Sequence, residues 1–179
     1  MRFGATKVFL LGLLLTPVAS RAQEAQPSEY QVKAAFIFNF AKFVEWPPEV
    51  FTNASSPIVI GILGDNPFGN DFEQTIFNKR INEHPVQVKE FREPKETTNC
   101  HILFVSSSEK KRLPEILEAL GRASVLTVGE TEGFSEAGGV INFIKVSNKI
   151  RFQINEPAAK KSKLKVSSKL LNLAVPTPR

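Results

Sequence analysis

Cysteine is nearly absent. The 179 residues hold one, Cys100, and a single thiol cannot close an intramolecular disulfide. The fold must therefore rest on its apolar core. Cys100 opens the run CHILFV, which reads as a buried strand, so the thiol is expected as a small buried hydrophobe without special reactivity. Histidine is scarce as well. His84 and His101 are the only two, and neither stands at metal-ligand spacing from another His, Cys or carboxylate. Both sit at strand entrances and read as structural, so no metal and no cofactor are expected.

Motifs of catalysis are missing in the same way. No Gly-x-Ser-x-Gly elbow is present, and GILGDNPFG is neither a dinucleotide fingerprint nor a phosphate-binding loop. Cys100 and His101 are neighbours on a strand and would point to opposite faces, which disfavours them as a nucleophile pair. Glu130 and Glu132 fall in a loop with no base or metal beside them. The chain reads as a non-enzyme.

A large charge of one sign is lacking too. The formal net charge is +5, but Arg2, Lys7 and Arg21 lie in the first 22 residues; without them 20 basic residues face 18 acidic ones. An excess of about +2 is too small for an ordinary nucleic-acid binder, so nucleic acid is not expected as a partner. Long apolar runs are absent beyond the start, where Val8 to Leu15 follows Arg2 and Lys7, and Ser20-Arg21-Ala22 supplies the small residues of a cleavage site. That pattern predicts a secretory signal peptide over 1–22, cut after Ala22, and an exported, soluble product.

What remains is a polar lead, 23–29, one domain over 30–174 and a short tail, 175–179. A helix is predicted from Tyr30 to Glu45, stopped by Trp46-Pro47-Pro48. Ile58 to Leu63, HILFV and SVLTV are continuous apolar runs and read as buried strands, with Val86 to Phe91 an alternating one. Helices are predicted between them, from Pro67 to Asn78 and from Glu109 to Leu120. Val140 to Ile144 and Ile150 to Ile154 form a hairpin turning at Ser147-Asn148. Pro157 to Leu173 reads as a last helix. Together these predict a single layered α/β domain, its largely parallel sheet flanked by helices and extended by an antiparallel edge hairpin.

In such a sheet ligands gather at the carboxyl ends of the strands. Those ends carry Asp65 and Asn66, Ser106 and Ser107, and Gly129 and Glu130. They are the candidate residues for a small polar or anionic ligand at two helix starts. The plainer role is capping: Asp65 or Asn66 for the helix at Pro67, and Ser106 with Glu109 as a capping box. At about 100° per residue, Gln31, Asn39, Lys42 and Glu45 share one sector of the opening helix. Phe38 and Trp46 fall inside that polar sector, and Lys33 lies on the apolar side, its stem long enough to reach water. Phe36, Ile37, Phe40, Phe43 and Val44 form the core face. Phe38 and Trp46, with Pro47 and Phe51 beside them, are therefore candidate anchors for a protein partner; the alternative is that Pro47, Pro48 and Phe51 cover them within the fold. In the last helix Lys161, Lys165 and Lys169 share a face, either merely solvated or touching an anionic membrane or acidic partner.

The blocks YQVKAAFIFNFAKFVEWP, CHILFV, VLTVGETEGFSEAGGVINF, KIRFQIN and LKVSSKLLNLA, in this order over Tyr30 to Ala174, resemble the YfiR family. The resemblance implies a periplasmic regulator that restrains an inner-membrane receptor, a diguanylate cyclase of the YfiN type, and so lowers cyclic di-GMP. It also implies a homodimer and release by an outer-membrane lipoprotein. Cysteine pairing tied to redox state in the family's type member cannot be carried over, because Cys100 stands alone. A small-ligand sensor using the pocket at the strand ends is the alternative reading.

Overall fold

The computed structural model describes residues 27–53 and 55–176. The expected signal peptide with its cut after Ala22, most of the polar lead and the end of the tail lie outside the described residues. In chain order the elements are α1 (Glu29–Phe40), β1 (Val44–Glu45), β2 (Ile58–Leu63), α2 (Asp71–Ile76), β3 (Arg80–Ile81), β4 (His84–Phe91) and β5 (Ile102–Val105). They continue as α3 (Leu113–Leu120), β6 (Leu126–Gly129), β7 (Ile141–Val146), β8 (Lys149–Ile154), α4 (Glu156–Lys161), β9 (Lys165–Val166) and α5 (Ser168–Leu171).

Seven strands form one sheet in the order β3-β4-β2-β5-β6-β7-β8, while β1 and β9 pair separately. The five strands from β4 to β7 run parallel, and β3 and β8 close the two edges antiparallel. This is the expected layered α/β domain with its edge hairpin. Ser147 and Asn148 both have positive φ (48° and 59°), the two-residue turn whose twist suits a hairpin.

The strands are apolar on both faces because helices cover both. Ile58, Ile60, Ile62, Ile102, Phe104, Leu126 and Val128 face α1 and α2, with Phe40 and Phe72 packed among them. Their alternates, Val59, Leu63, Leu103 and Val105, face Leu113, Ile116 and Leu120 of α3 and the buried ring of Phe134. Two-sided burial is why these runs lack polar alternation. Each fully buried side chain of this size contributes roughly 1.5–3 kcal/mol.

Several helices differ from expectation. The first ends at Phe40, five residues before Glu45, because Val44 and Glu45 are drawn into a ladder with Val166 and Lys165. Short bonds from Lys42 N–H to Asn39 O (2.9 Å) and Phe43 N–H to Phe40 O (2.9 Å) tighten its last turn. Its start carries a capping box between Ser28 and Gln31. The second helix begins at Asp71 instead of Pro67, and its continuation is stopped by Asn78, whose φ is 53°. Residues Ser107–Arg112 are 3-10 and only Leu113–Leu120 is α-helical.

The last helix is not continuous. Lys163 takes φ 56°, and bonds from Leu164 N–H to Ala159 O and Lys163 N–H to Lys160 O close a Schellman turn. A lysine occupies the place where glycine usually marks such an end, which hid the stop. Leu164 can then bury itself and Lys165 pairs across from Glu45. The shared face of Lys161, Lys165 and Lys169 therefore does not exist.

Candidate functional site

Two places gather functional side chains, at opposite ends of the parallel strands. At the carboxyl ends, Glu130 follows β6 and Ser107 follows β5, while Lys145 comes from β7. Glu29, Tyr30 and Lys33 descend from α1. They line a recess of about 250 Å³ floored by Phe143 and Ile150.

Lys33 is its centre. Contrary to expectation its ammonium does not reach water; the residue is only 4% exposed. Its Nζ donates to Glu130 Oε2 at 2.5 Å and to Glu29 Oε1 at 2.6 Å. Tyr30 Oη donates to the other oxygen of Glu130 at 3.2 Å, and Lys145 Nζ reaches Glu29 Oε2 at 3.3 Å. Lys33 also lies over the Tyr30 ring, 4.6 Å from its centroid. Burial pulls the Lys33 pKa down, but the bonds to Glu130 and Glu29 outweigh it, and the net shift is upward. Burial, and then the Glu130 charge, hold the Tyr30 phenol up, so it stays a donor. Two carboxylates and two ammoniums alternate around the recess. Such an arrangement binds polar groups of either sign only by exchanging partners, and it ties α1 to the sheet.

Of the six residues the sequence assigned to this end, Ser107 and Glu130 line the recess. Asn66 instead accepts from Phe68 N–H at 2.9 Å and donates to Glu90. Asp65 is exposed and donates its backbone N–H to Ser108 Oγ. Ser106 is buried and caps Ser108 N–H; the box with Glu109 does not form, since the Ser106 N–H is taken by Leu63 O. Gly129 is pressed against Phe134, where a Cβ would collide with the ring. Glu29, Tyr30, Lys33 and Lys145 were not assigned. A lysine on the apolar face of α1 was the one signal that an acidic partner waited inside.

The other place lies at the amino ends of β2, β4 and β5. Phe51 is stacked between two imidazoles, 4.5 Å from His84 and 4.9 Å from His101. Trp46 sits edge-on to His101, and its indole N–H donates to His101 O at 3.2 Å. Trp46, Pro47 and Phe51 are half-buried, so each keeps a surface toward solvent. His101 Nδ1 accepts the Val59 N–H at 3.1 Å, which places the proton of the neutral ring on Nε2. Phe38 does not join them. It is 5% exposed, under the ammoniums of Lys42 (4.4 Å) and Lys79 (5.1 Å), so the projection into water expected of it is wrong. Helical angles ignored the neighbouring helix α2, which covers that side.

The sequence model of the YfiR/HmsC-like family matches residues 30–175. No curated protein matches the sequence. Among solved structures, a crystal structure of a conserved domain protein from Vibrio cholerae has a similar fold, with a TM-score of 0.59 and 10% sequence identity over 84% of this chain. The chain spans 60% of that protein's length. No helix among the described residues is long and apolar enough to cross a membrane.

Proposed function

We propose, on the premise that this chain belongs to the YfiR/HmsC-like family, that it is a non-enzymatic periplasmic regulator. It binds a membrane-embedded signalling protein, a diguanylate cyclase of the YfiN type, and restrains its output of cyclic di-GMP. The observation that carries this reading is the extent of the match, residues 30–175, which takes in both ends of the sheet. Trp46, Pro47 and Phe51 offer the partner a half-buried aromatic edge, the form of anchor that interfaces favour. Phe38 drops out of that face because it is buried. A homodimer, and release by an outer-membrane lipoprotein, belong to the same proposal.

The test is intracellular cyclic di-GMP with the gene intact, deleted, and restored with or without segment 1–22. Deletion should raise the level, and only the form carrying the leader should bring it back. An unchanged level would remove the cyclase as partner. Trp46→Ala in the restored gene should release the restraint while the purified variant still folds; an unfolded variant would make Trp46 a core residue only.

A second reading is favoured by the recess around Lys33. A small zwitterion, with a carboxylate for Lys33 or Lys145 and an amine for Glu29 or Glu130, fits its alternating charges. Such a ligand would raise the melting temperature of the wild type but not of Lys145→Gln. Free amino acids and related zwitterions are the probes, and no shift with any of them would dismiss this reading.

A further inference from the structure

Between the end of α1 and the end of α2 lies another recess, about 340 Å³, bordered by Asn39, Lys42, Thr75, Lys79 and Arg80. The ammoniums of Lys42 and Lys79 share one aromatic face, that of Phe38. Among the described residues, the ion pairs involve Lys33, Arg112 and Lys145, and neither Lys42, Lys79 nor Arg80 has a carboxylate within 4.0 Å. Of the two acidic residues of α2, Glu73 lines a separate groove with Glu90, and the Asp71 carboxylate accepts from Gln31 Nε2 at 3.2 Å. Three cations thus surround a concavity with no internal counter-charge.

Beside them stands Phe77. Lys79 N–H bonds to Ile76 O at 2.8 Å, with Phe77 at ψ 124° and Asn78 at φ 53°. Those angles make a type II turn that buries Ile76 and holds Phe77 outward, 74% exposed. Among the described residues, the other exposed large apolar ones, Val146 and Leu173, belong to distant elements of the chain. A protein interface gathers several apolar groups into a central patch. One aromatic at a turn tip, followed at once by Lys79 and Arg80, matches a phospholipid surface better. The ring can enter the boundary between headgroups and acyl chains while the cations meet phosphates.

We propose that the turn 76–80, together with Lys42, docks this protein on an anionic phospholipid surface, Phe77 entering the headgroup layer and Lys42, Lys79 and Arg80 pairing with lipid phosphates. Docking holds the domain at the bilayer independently of any receptor. The turn lies toward the amino end of the sheet, where Arg80 pairs across from Pro85 and Ile81 from His84, and is apart from the recess around Lys33.

The test is co-flotation of the exported form of the protein with vesicles of phosphatidylcholine, alone or mixed with phosphatidylglycerol, at low and high salt. Binding should require phosphatidylglycerol and weaken with salt. Lys79→Gln and Arg80→Gln should each reduce it about fivefold, the loss of one charge near an anionic surface. Phe77→Ser, at an exposed position where folding is not at stake, should reduce it further, while the paired control Lys160→Gln/Lys161→Gln should not. No flotation at low salt overturns the proposal. So does equal loss from the control pair, which would mean unspecific attraction. If inorganic phosphate raises the melting temperature while vesicles fail to bind, the recess holds a free anion and the membrane proposal falls. Loss of cellular regulation by Phe77→Ser without vesicle binding would assign the tip to a protein partner and overturn it equally.

Discussion

Lys33 Nζ and Glu130 Oε2 lie 2.5 Å apart although 97 positions separate the two residues in the chain. The bond joins the first helix to the loop after β6, inside a region where both side chains are almost wholly excluded from water. Removing one partner strands the other. Lys33→Met should therefore cost about 3–5 kcal/mol in urea unfolding. Glu29, with its side chain 40% exposed, can return to solvent and adds little to that loss. The double variant Lys33→Met/Glu130→Gln should recover most of it, and a single variant as stable as the wild type would show that the pair does not hold α1 in place.

The same cluster bounds the pH range of stability. The bond from Lys33 holds the Glu29 carboxyl below its ordinary value, against the opposing effect of burial. Its contribution is present above about 4.3, the unfolded carboxylate value, and is lost as pH falls through the lower folded one. Lys33 is raised, so its contribution is present below about 10.4 and lost as pH climbs through the folded value. Between those limits this pair of groups should add no slope to the urea midpoints, leaving only the effect of His101. Glu29→Gln should flatten the acid side, and an acid side that keeps its slope would place the responsible carboxylate elsewhere.

His101 adds a second acid-side effect. Burial, and then the nearby His84, hold its pKa below the ordinary imidazole value. The unfolded chain therefore takes up a proton first, and stability falls as pH drops through about 6.5, the unfolded imidazole value, and levels off below the lower folded one. His101→Asn keeps an acceptor for Val59 N–H and should show a shallower slope of melting temperature against pH. An unchanged slope would exclude His101 as the source.

Cys100 should be inert while the protein is folded. It is 4% exposed, and burial pushes its thiol up to about 12, so thiolate is scarce near neutral pH. Its Sγ donates to Thr97 O at 2.9 Å. Alkylation by iodoacetamide should appear only with the denaturant transition. Fast labelling of the native protein would contradict this placement.

Phe134 is wedged against the backbones of Gly129 and Gly139, where a Cβ on either would run into its ring. Gly129→Ala or Gly139→Ala should cost about 1–3 kcal/mol by overpacking. The double variant Gly139→Ala/Phe134→Leu should recover part of that loss in thermal melts, whereas two fully additive losses would show that the ring is not what the methyl group meets.

Much of the architecture was legible because burial on two faces writes itself as unbroken apolar runs. Ile58–Leu63 and the stretches around Phe104 and Val128 could only be central strands, and Ser147-Asn148 could only be a tight turn. Helix ends were less legible. Lys163 takes a left-handed conformation without being glycine, and the pull of β9 on Val44–Glu45 comes from across the molecule. A periodicity written along one helix cannot include the element that packs against it, which is how Phe38 came to be placed in water.

By itself the sequence determined the fold class and the dependence on an apolar core, because those follow from local apolar period and from a single cysteine. It also named Glu130 and Ser107 as residues at the strand ends. Only the tertiary structure decided which charges meet. Lys33 finds Glu130, His101 finds Phe51 and Trp46, and Lys42 joins Lys79 without an acidic partner. Such pairings depend on how α1 and α2 lie against the sheet, and electrostatic energy depends on distance in space, which sequence order does not carry.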